Sequence, residues 1–168
     1  EKVLSREPGF NSRMRTTCVA TQLEAGHAEN ALPQRAKATV NCRILPGITP
    51  DLVKDKLVEL VDNRNVLITP IKEPNPSPPS PLTEEIMGPI MQVSQQMWPG
   101  VSVVPVMSTG ATDGLYFRKK GIPVYGVSGI MVDVNDSRSH GRDERILVTS
   151  FLEGLEFQDR LVRAYTSN

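Results

Sequence analysis

Apolar residues in this chain come in short runs with two different rhythms, and proline or glycine cuts nearly every run. Arg15 to Glu24 is rich in Thr and Val and stops at Gly26. Ala36 to Leu45 alternates small or apolar residues with polar ones and stops at Pro46-Gly47. Both stretches predict strands. Thr49-Pro50-Asp51 then offers an N-cap, a proline at the first helical position and an acid in the first turn. Leu52, Val53, Leu57, Leu60 and Val61 follow at helical spacing, which predicts one apolar face, and Asn63-Arg64-Asn65 ends the helix. Val66 to Ile71 predicts a short apolar strand. The order strand, strand, helix, strand predicts a sheet layer covered by one helix. It is like a split β-α-β fold without its first strand and first helix. Such a layer leaves an edge open to pairing, and it suggests a chain that starts within a domain.

A second pattern begins after Pro74-Asn75-Pro76-Ser77-Pro78-Pro79-Ser80-Pro81. Proline at this density favours an extended, semi-rigid connector. Thr83-Glu84-Glu85 starts a helix that runs to about Trp98, with a kink or early break expected at Gly88-Pro89. Val101 to Met107 is a β-rich run containing Pro105, and Ile122 to Val127 is a short apolar strand. Between them lie the loop Ser108 to Gly114 and a short helix, Leu115 to Lys120. Ser128 to Arg145 reads as a long polar loop. Ile146 to Ala164 reads as a terminal helix with Phe151, Leu152, Leu155 and Val162 as apolar positions. Helix, strand, helix, strand, helix suggests part of a layered α/β sheet. The expected domains are thus residues 1–73, a linker at 74–82, and residues 83–168.

Composition narrows the function classes. The 168 residues carry 19 basic and 19 acidic side chains, so formal net charge is zero. That argues against nucleic-acid or membrane-surface binding by bulk charge. No apolar stretch approaches the roughly 20 residues of a membrane-spanning helix. The N-terminus has neither an initiator Met nor a signal-like apolar core. This leaves the compartment open, cytoplasmic and periplasmic alike. Cys18 and Cys42 sit in runs that form neighbouring strands, so one disulfide is feasible. Reduced, buried thiols are the expectation, because free Cys commonly packs in cores.

Four stretches carry candidate chemistry, and each has a plain reading beside it. Gly26-His27-Ala28-Glu29-Asn30-Ala31-Leu32-Pro33 is either a surface connection or a loop that carries His27 and Asn30 to a ligand. Arg43 is either a snorkelling surface arginine or a bidentate clamp on a carboxylate or phosphate. Ser108 to Gly114 lacks the Gly-Lys-Ser/Thr of a phosphate loop. There Thr112 or Asp113 caps the next helix, or the backbone meets an anion. Ser139-His140-Gly141-Arg142-Asp143-Glu144-Arg145 is a solvated charged loop, or it presents His140 to a metal. A catalytic zinc site needs about three protein ligands and an open position. The chain has only two histidines, and neither lies in an H-x-D or H-x-x-x-H spacing. Glu84-Glu85 is not read as a catalytic pair, since acids in a first helical turn are favoured by the helix dipole.

Taken together and in this order, these four stretches resemble the M20 family of zinc-dependent metallopeptidases and amidohydrolases, and the similarity covers nearly the whole chain. The resemblance implies a partial lid, or dimerisation, domain over residues 1–73. It implies the last part of an α/β zinc-hydrolase catalytic domain over residues 83–168. On it, His140 matches the final ligand of a two-zinc site. Asn30 matches the Asn that reaches the substrate from the lid, Arg43 the lid arginine that anchors a carboxylate, and Gly110, Ala111 and Thr112 the loop lining the pocket. The H-x-D pair, bridging Asp, Glu-Glu pair and next acidic ligand of the family all precede its lid domain, and none is present in this sequence. The resemblance therefore implies an N-terminal catalytic portion beyond this chain, an incomplete site without it, and no activity for this part alone. His27 matches no assigned role. The implied substrate is a peptide or N-acyl amino acid with a free carboxylate, and the implied assembly is a homodimer through the lid. A non-enzymatic oligomerisation module and a small carboxylate binder are the alternatives.

Overall fold

The computed structural model describes residues 2–133, 135–136 and 138–167. Val134 and Ser137, within the polar loop expected over residues 128–145, lie outside the described residues, as do the terminal Glu1 and Asn168. A 3-10 turn at Leu4–Arg6 precedes α1 (Pro8–Arg13), β1 (Thr17–Ala25), β2 (Ala36–Arg43), α2 (Pro50–Val61), α3 (Glu84–Met97), α4 (Gly114–Lys119) and α5 (Val148–Thr166). The contacts divide the chain into two compact units. One holds Glu1–Pro79 with Val106–Val124, and the other holds Ser80–Pro105 with Tyr125–Asn168.

In the first unit, β1 and β2 pair antiparallel, from Ala25 opposite Ala36 at the loop end to Thr17 opposite Arg43 at the far end. The register shifts between Ala20 and Gln22, and there the Thr21 hydroxyl donates to the Thr39 carbonyl at 3.3 Å. Cys18 faces Cys42 directly, and their sulfurs are bonded. The expectation of reduced, buried thiols is therefore corrected. Direct opposition in a ladder brings two Cβ atoms within bonding reach, and Cys18 is exposed rather than in a core.

The α2 start follows its sequence signals. The Thr49 Oγ1 accepts from the Leu52 N–H at 3.3 Å, Pro50 stands at the first helical position, and Asp51 lies in the first turn. Asp62 ends the helix in the left-handed region at φ 42°, donating its N–H to the Val58 carbonyl. The expected apolar face is only partly covered. Val53 is buried and Leu57 half-buried, while Leu52, Leu60 and Val61 are exposed.

The third strand expected over Val66 to Ile71 does not form among the described residues, and the sheet has two strands. Turn chemistry claims its donors first. The Asn63 Oδ1 takes the Asn65 N–H and the Asn63 carbonyl takes the Val66 N–H at 3.0 Å, while Pro70 has no N–H to give.

The second unit is organised by α3 and α5. Ile90, Val93, Phe157 and Leu161 form its buried cluster, with Ile86, Met87, Met97, Trp98, Val103 and Val127 packed around it. Phe157 is 1% exposed and stacks on Trp98 with ring centroids 5.5 Å apart. The inward face of α5 is Ser150, Gly154, Phe157 and Leu161, not the expected Phe151, Leu152, Leu155 and Val162, which are exposed. Close approach selects that face. A Cβ on Gly154 would meet the Ile130 side chain at 2.6 Å, and a Cβ on Gly129 would meet Phe157 at 2.5 Å. Glycine at these two places lets the 128–130 segment lie directly on the helix.

The helix α3 runs through Pro89 without the break expected at Gly88-Pro89. A proline near the first turns costs one backbone bond, here to the carbonyl of the exposed Glu85, which water can satisfy. The expected strands at Val101 to Met107 and Ile122 to Val127 carry no ladder among the described residues. Gln side chains serve their carbonyls instead. The Gln95 Nε2 donates to Val101 O and the Gln158 Nε2 to Val127 O, both at 2.6 Å.

Two outcomes test this architecture. The Cys18–Cys42 bond closes a separation of 24 residues, so reduction or Cys42→Ser should destabilise the hairpin by about 3 kcal/mol. Hydrogen exchange of the β1 and β2 amides, compared with and without a dithiol, reads this directly. Phe157→Ala should destabilise the second unit by about 3–5 kcal/mol. Urea unfolding followed by Trp98 fluorescence measures it, and an unshifted transition would contradict the packing.

Candidate functional site

Arg43 is the last residue of β2 and is exposed, one position past the Cys18–Cys42 bond. Its guanidinium makes no ion pair among the described residues. The disulfide and the ladder fix its backbone, while the side chain is open to a planar anion such as a carboxylate. Asn30 and His27 lie in the connection Gly26 to Arg35, in turn and bend conformations, and both are exposed. Gly26 opens that connection at φ 76°. Arg43 closes the opposite end of the ladder, about 23 Å along β2 from Ala36 at the usual strand rise. Asn30 and Arg43 thus start from opposite ends of the hairpin, and no hydrogen bond joins them.

Gly110, Ala111 and Thr112 form the approach to α4 in the same unit. The Gly110 N–H donates to the Ser108 hydroxyl at 3.2 Å, and the Gly114 N–H to the Thr112 hydroxyl at 3.3 Å. Thr112 thus makes a local side-chain turn, while Asp113 occupies the N-cap position without a side-chain cap bond. Gly114 is buried, and a Cβ there would meet the Arg118 Nη1 at 2.9 Å and the Val124 side chain at 3.0 Å. The loop backbone is held tightly against its own unit. Glu84 and Glu85 lie in the first turn of α3 and are exposed, as the dipole argument expects.

His140 belongs to the other unit and is exposed. Among the described residues it is one of two non-glycine residues at positive φ, at 64°; the other, Asp62, ends a helix. His140 ends no helix, and the left-handed region costs an L residue about 1–2 kcal/mol. Hydrogen bonds around it oppose that cost. Its N–H donates to the Glu144 Oε1 at 3.1 Å, the Gly141 N–H to the Arg138 carbonyl at 3.0 Å, and the Glu144 N–H to the Gly141 carbonyl at 3.3 Å.

An ion-pair network frames the same loop. Asp136 receives Arg138 on one oxygen and both the Nε and Nη2 of Arg145 on the other, at 3.3 and 2.9 Å, while Arg138 also reaches Asp143. The hydrogen bond from Arg138, then that from Arg145, holds the Asp136 carboxyl below its ordinary pKa of 3.8. Sequence reading singled out His140 but not Asp136, Arg138 or Arg145. The alternation of acids and bases from 136 to 145 was the available signal.

A metal tests these residues in a simple way. Zinc takes nitrogen, sulfur or carboxylate donors, about four in all with water included. Among the described residues no group of three His, Cys, Asp or Glu could hold a metal ion. The donor set fits a share in a metal site through the exposed His140 imidazole, not a whole site.

Comparison with known proteins adds to this geometry. The described hairpin and α2 fall inside residues 4–68, which match the peptidase dimerisation domain of M20 peptidases. The similarity to M20 relatives extends well beyond that domain. The chain is 31% identical over 166 residues to the N-fatty-acyl-amino acid synthase/hydrolase PM20D1 of Homo sapiens, covering 96% of this chain and 33% of that protein. It is 26% identical over 164 residues to the probable carboxypeptidase S-like 2 of Dictyostelium discoideum, covering 96% of this chain and 32% of the relative. The PM20D1 of Xenopus tropicalis is 30% identical over 147 residues, covering 86% of this chain and 29% of that protein. The chain spans about a third of the length of these curated relatives. No solved structure matches it significantly.

The Asp136 network gives a pH outcome. A depressed pKa means that the pairing contributes at pH above the ordinary carboxylate value and fades only as pH falls through the lower, folded value. The Asp136 carboxyl carbon should therefore titrate below pH 3.8. Arg138→Gln should raise that midpoint more than Arg145→Gln, since the Arg138 bond is the larger cause. Carbon-detected NMR of the side-chain carboxyls checks both.

Proposed function

We propose that this chain is part of a metal-dependent amidohydrolase of the M20 type, cleaving the amide of a peptide or N-acyl amino acid that carries a free carboxylate. Residues 1–73 act as a partial dimerisation, or lid, domain. Residues 83–168 act as the last part of an α/β catalytic domain, and the proline run 74–82 passes between them. The catalytic remainder is carried by sequence outside this chain, since the relatives are about three times as long. The part described here is inactive by itself.

The single observation that carries the substrate class is Arg43: exposed, without an ion pair among the described residues, and held by the ladder beside a disulfide. The relatives' names supply the complement. One is named a probable carboxypeptidase S-like protein and the other an N-fatty-acyl-amino acid synthase/hydrolase, names that fit an amide beside a free carboxylate. A guanidinium fork reads such a group bidentately and without changing protonation. Asn30 supplies an amide that can donate to the substrate carbonyl, and the Gly110, Ala111 and Thr112 backbone lines the pocket. His140 contributes one imidazole ligand. Bound zinc would supply a water of lowered pKa and polarise the scissile carbonyl.

The dimerisation domain makes a homodimer the expected assembly. The two-stranded sheet has open edges for it, and Val19 and Leu23 of β1 are exposed apolar surface. The Cys18–Cys42 bond supports an oxidising compartment over a reducing one.

The test uses the whole enzyme that contains this chain. N-acyl amino acids and their carboxamide counterparts are compared in the wild type, Arg43→Ala and Arg43→Lys. The wild type should prefer the free acid. Arg43→Ala should raise KM for the acid by about 10- to 100-fold, the loss of a charged hydrogen bond, and abolish the preference, with Arg43→Lys between. An acid-over-amide preference unchanged in Arg43→Ala would remove Arg43 as the carboxylate reader. Absence of amide hydrolysis by the zinc-loaded wild type would remove the activity itself.

A further inference from the structure

The His140 loop contains more bracing than a solvated turn requires. Three features coincide there. The first is the left-handed backbone of His140, which no helix end explains. The second is the carboxylate of Glu144 taking the His140 N–H, so that the residue is pinned from its own loop. The third is Asp136, which spends both oxygens on two arginines on either side of His140 in sequence. Arg138 lies on one, and Arg145 lies on the other through two nitrogens at 3.3 and 2.9 Å. Arg138 then passes on to Asp143. An isolated surface ion pair contributes little, because two mobile side chains must be ordered for one contact. A carboxylate shared by two guanidinium groups, one of which also holds Asp143, forms a network in which each partner limits the others. Non-glycine residues in sparse backbone regions persist where surrounding contacts over-determine them, and such places concentrate at functional sites.

We propose that Asp136 is a positioning residue for His140: by bridging Arg138 and Arg145 it ties both flanks of the loop together and fixes the backbone from which the imidazole projects. This rests on the reading of His140 as a metal ligand and adds to it. Metal sites commonly depend on groups that orient a ligand without touching the ion. Here the orienting group would act through the main chain rather than through the imidazole. Asp136 itself stays committed to the two arginines and is not a ligand.

The chain offers an internal control, because His27 is its only other histidine and lies in an exposed loop of the other unit. The whole enzyme that contains this chain is labelled at its histidines for NMR as wild type, Asp136→Asn and Asp136→Glu, with Arg145→Gln as a second route to the same break. Near-ultraviolet circular dichroism confirms that the Trp98 and Phe157 packing is kept. Exchange of the His140 amide and its Cα and Cβ shifts report the loop. Zinc ions alone, titrated against the imidazole resonances, report ligand presentation at His140 against His27. Asp136→Asn and Arg145→Gln should speed His140 amide exchange by about tenfold and weaken zinc binding at His140 severalfold, leaving His27 unchanged. Asp136→Glu should recover part of both. Unchanged exchange and shifts in Asp136→Asn would overturn the inference. Faster exchange with zinc binding at His140 unchanged would reduce the network to a structural brace and equally overturn it. If zinc perturbs His140 no more than His27 in the wild type, the metal-ligand reading of His140 fails, whatever the loop does.

Discussion

A proline carries no N–H, and fourteen of them are spread along this chain. They set where regular backbone pairing can occur. Pro70, Pro105 and Pro123 each fall inside an apolar run with strand-like composition, and none of those runs joins a ladder among the described residues. The one ladder among the described residues, β1 with β2, pairs two runs free of proline. Where proline removes a donor from a ladder, side chains take over the carbonyls. Gln95 serves Val101, Gln158 serves Val127 and the Tyr125 hydroxyl reaches Pro81, while the Tyr165 hydroxyl reaches Ile86 within α3. Burial accordingly raises the pKa of both tyrosines, which keeps them as donors.

Within that constraint the two units solve different problems. The hairpin has little buried surface, and a covalent link stands where a core would otherwise hold it. That link falls one residue before Arg43, so the feature that stabilises the hairpin also fixes the start of its candidate anchor. The second unit has a core, built on Phe157 and completed by two glycines that admit the 128–130 segment. From that segment the chain leads on to the braced loop of His140. Arg43, Thr112 and His140 thus project from backbone held by specific local devices.

Much of the local structure was legible. The cap, proline and acid at Thr49-Pro50-Asp51 placed the start of α2 at its observed residue. Gly26 and Pro46-Gly47 bounded the two strands to within two residues. Other expectations failed for identifiable reasons. Apolar composition alone suggested three further strands, but a strand also needs donors and a neighbouring edge. The apolar positions Phe151, Leu152, Leu155 and Val162 of α5 stay exposed, whereas close packing turns inward the face with Ser150 and Gly154. Small residues signal approach of backbone to backbone, which a count of apolar positions overlooks. The cysteines were read as core thiols, and only the register showed them opposed.

By itself the sequence determined the family resemblance, the starts of α2 and α3, the hairpin and the identity of the residues able to do chemistry. Those depend on neighbours within a few positions, or on motifs kept in order. Only the tertiary structure decided the Cys18–Cys42 bond, the inward face of α5 and the Asp136 network around His140. Each of these depends on which atoms meet across many residues of chain. Spacing along a sequence limits such meetings without choosing among them.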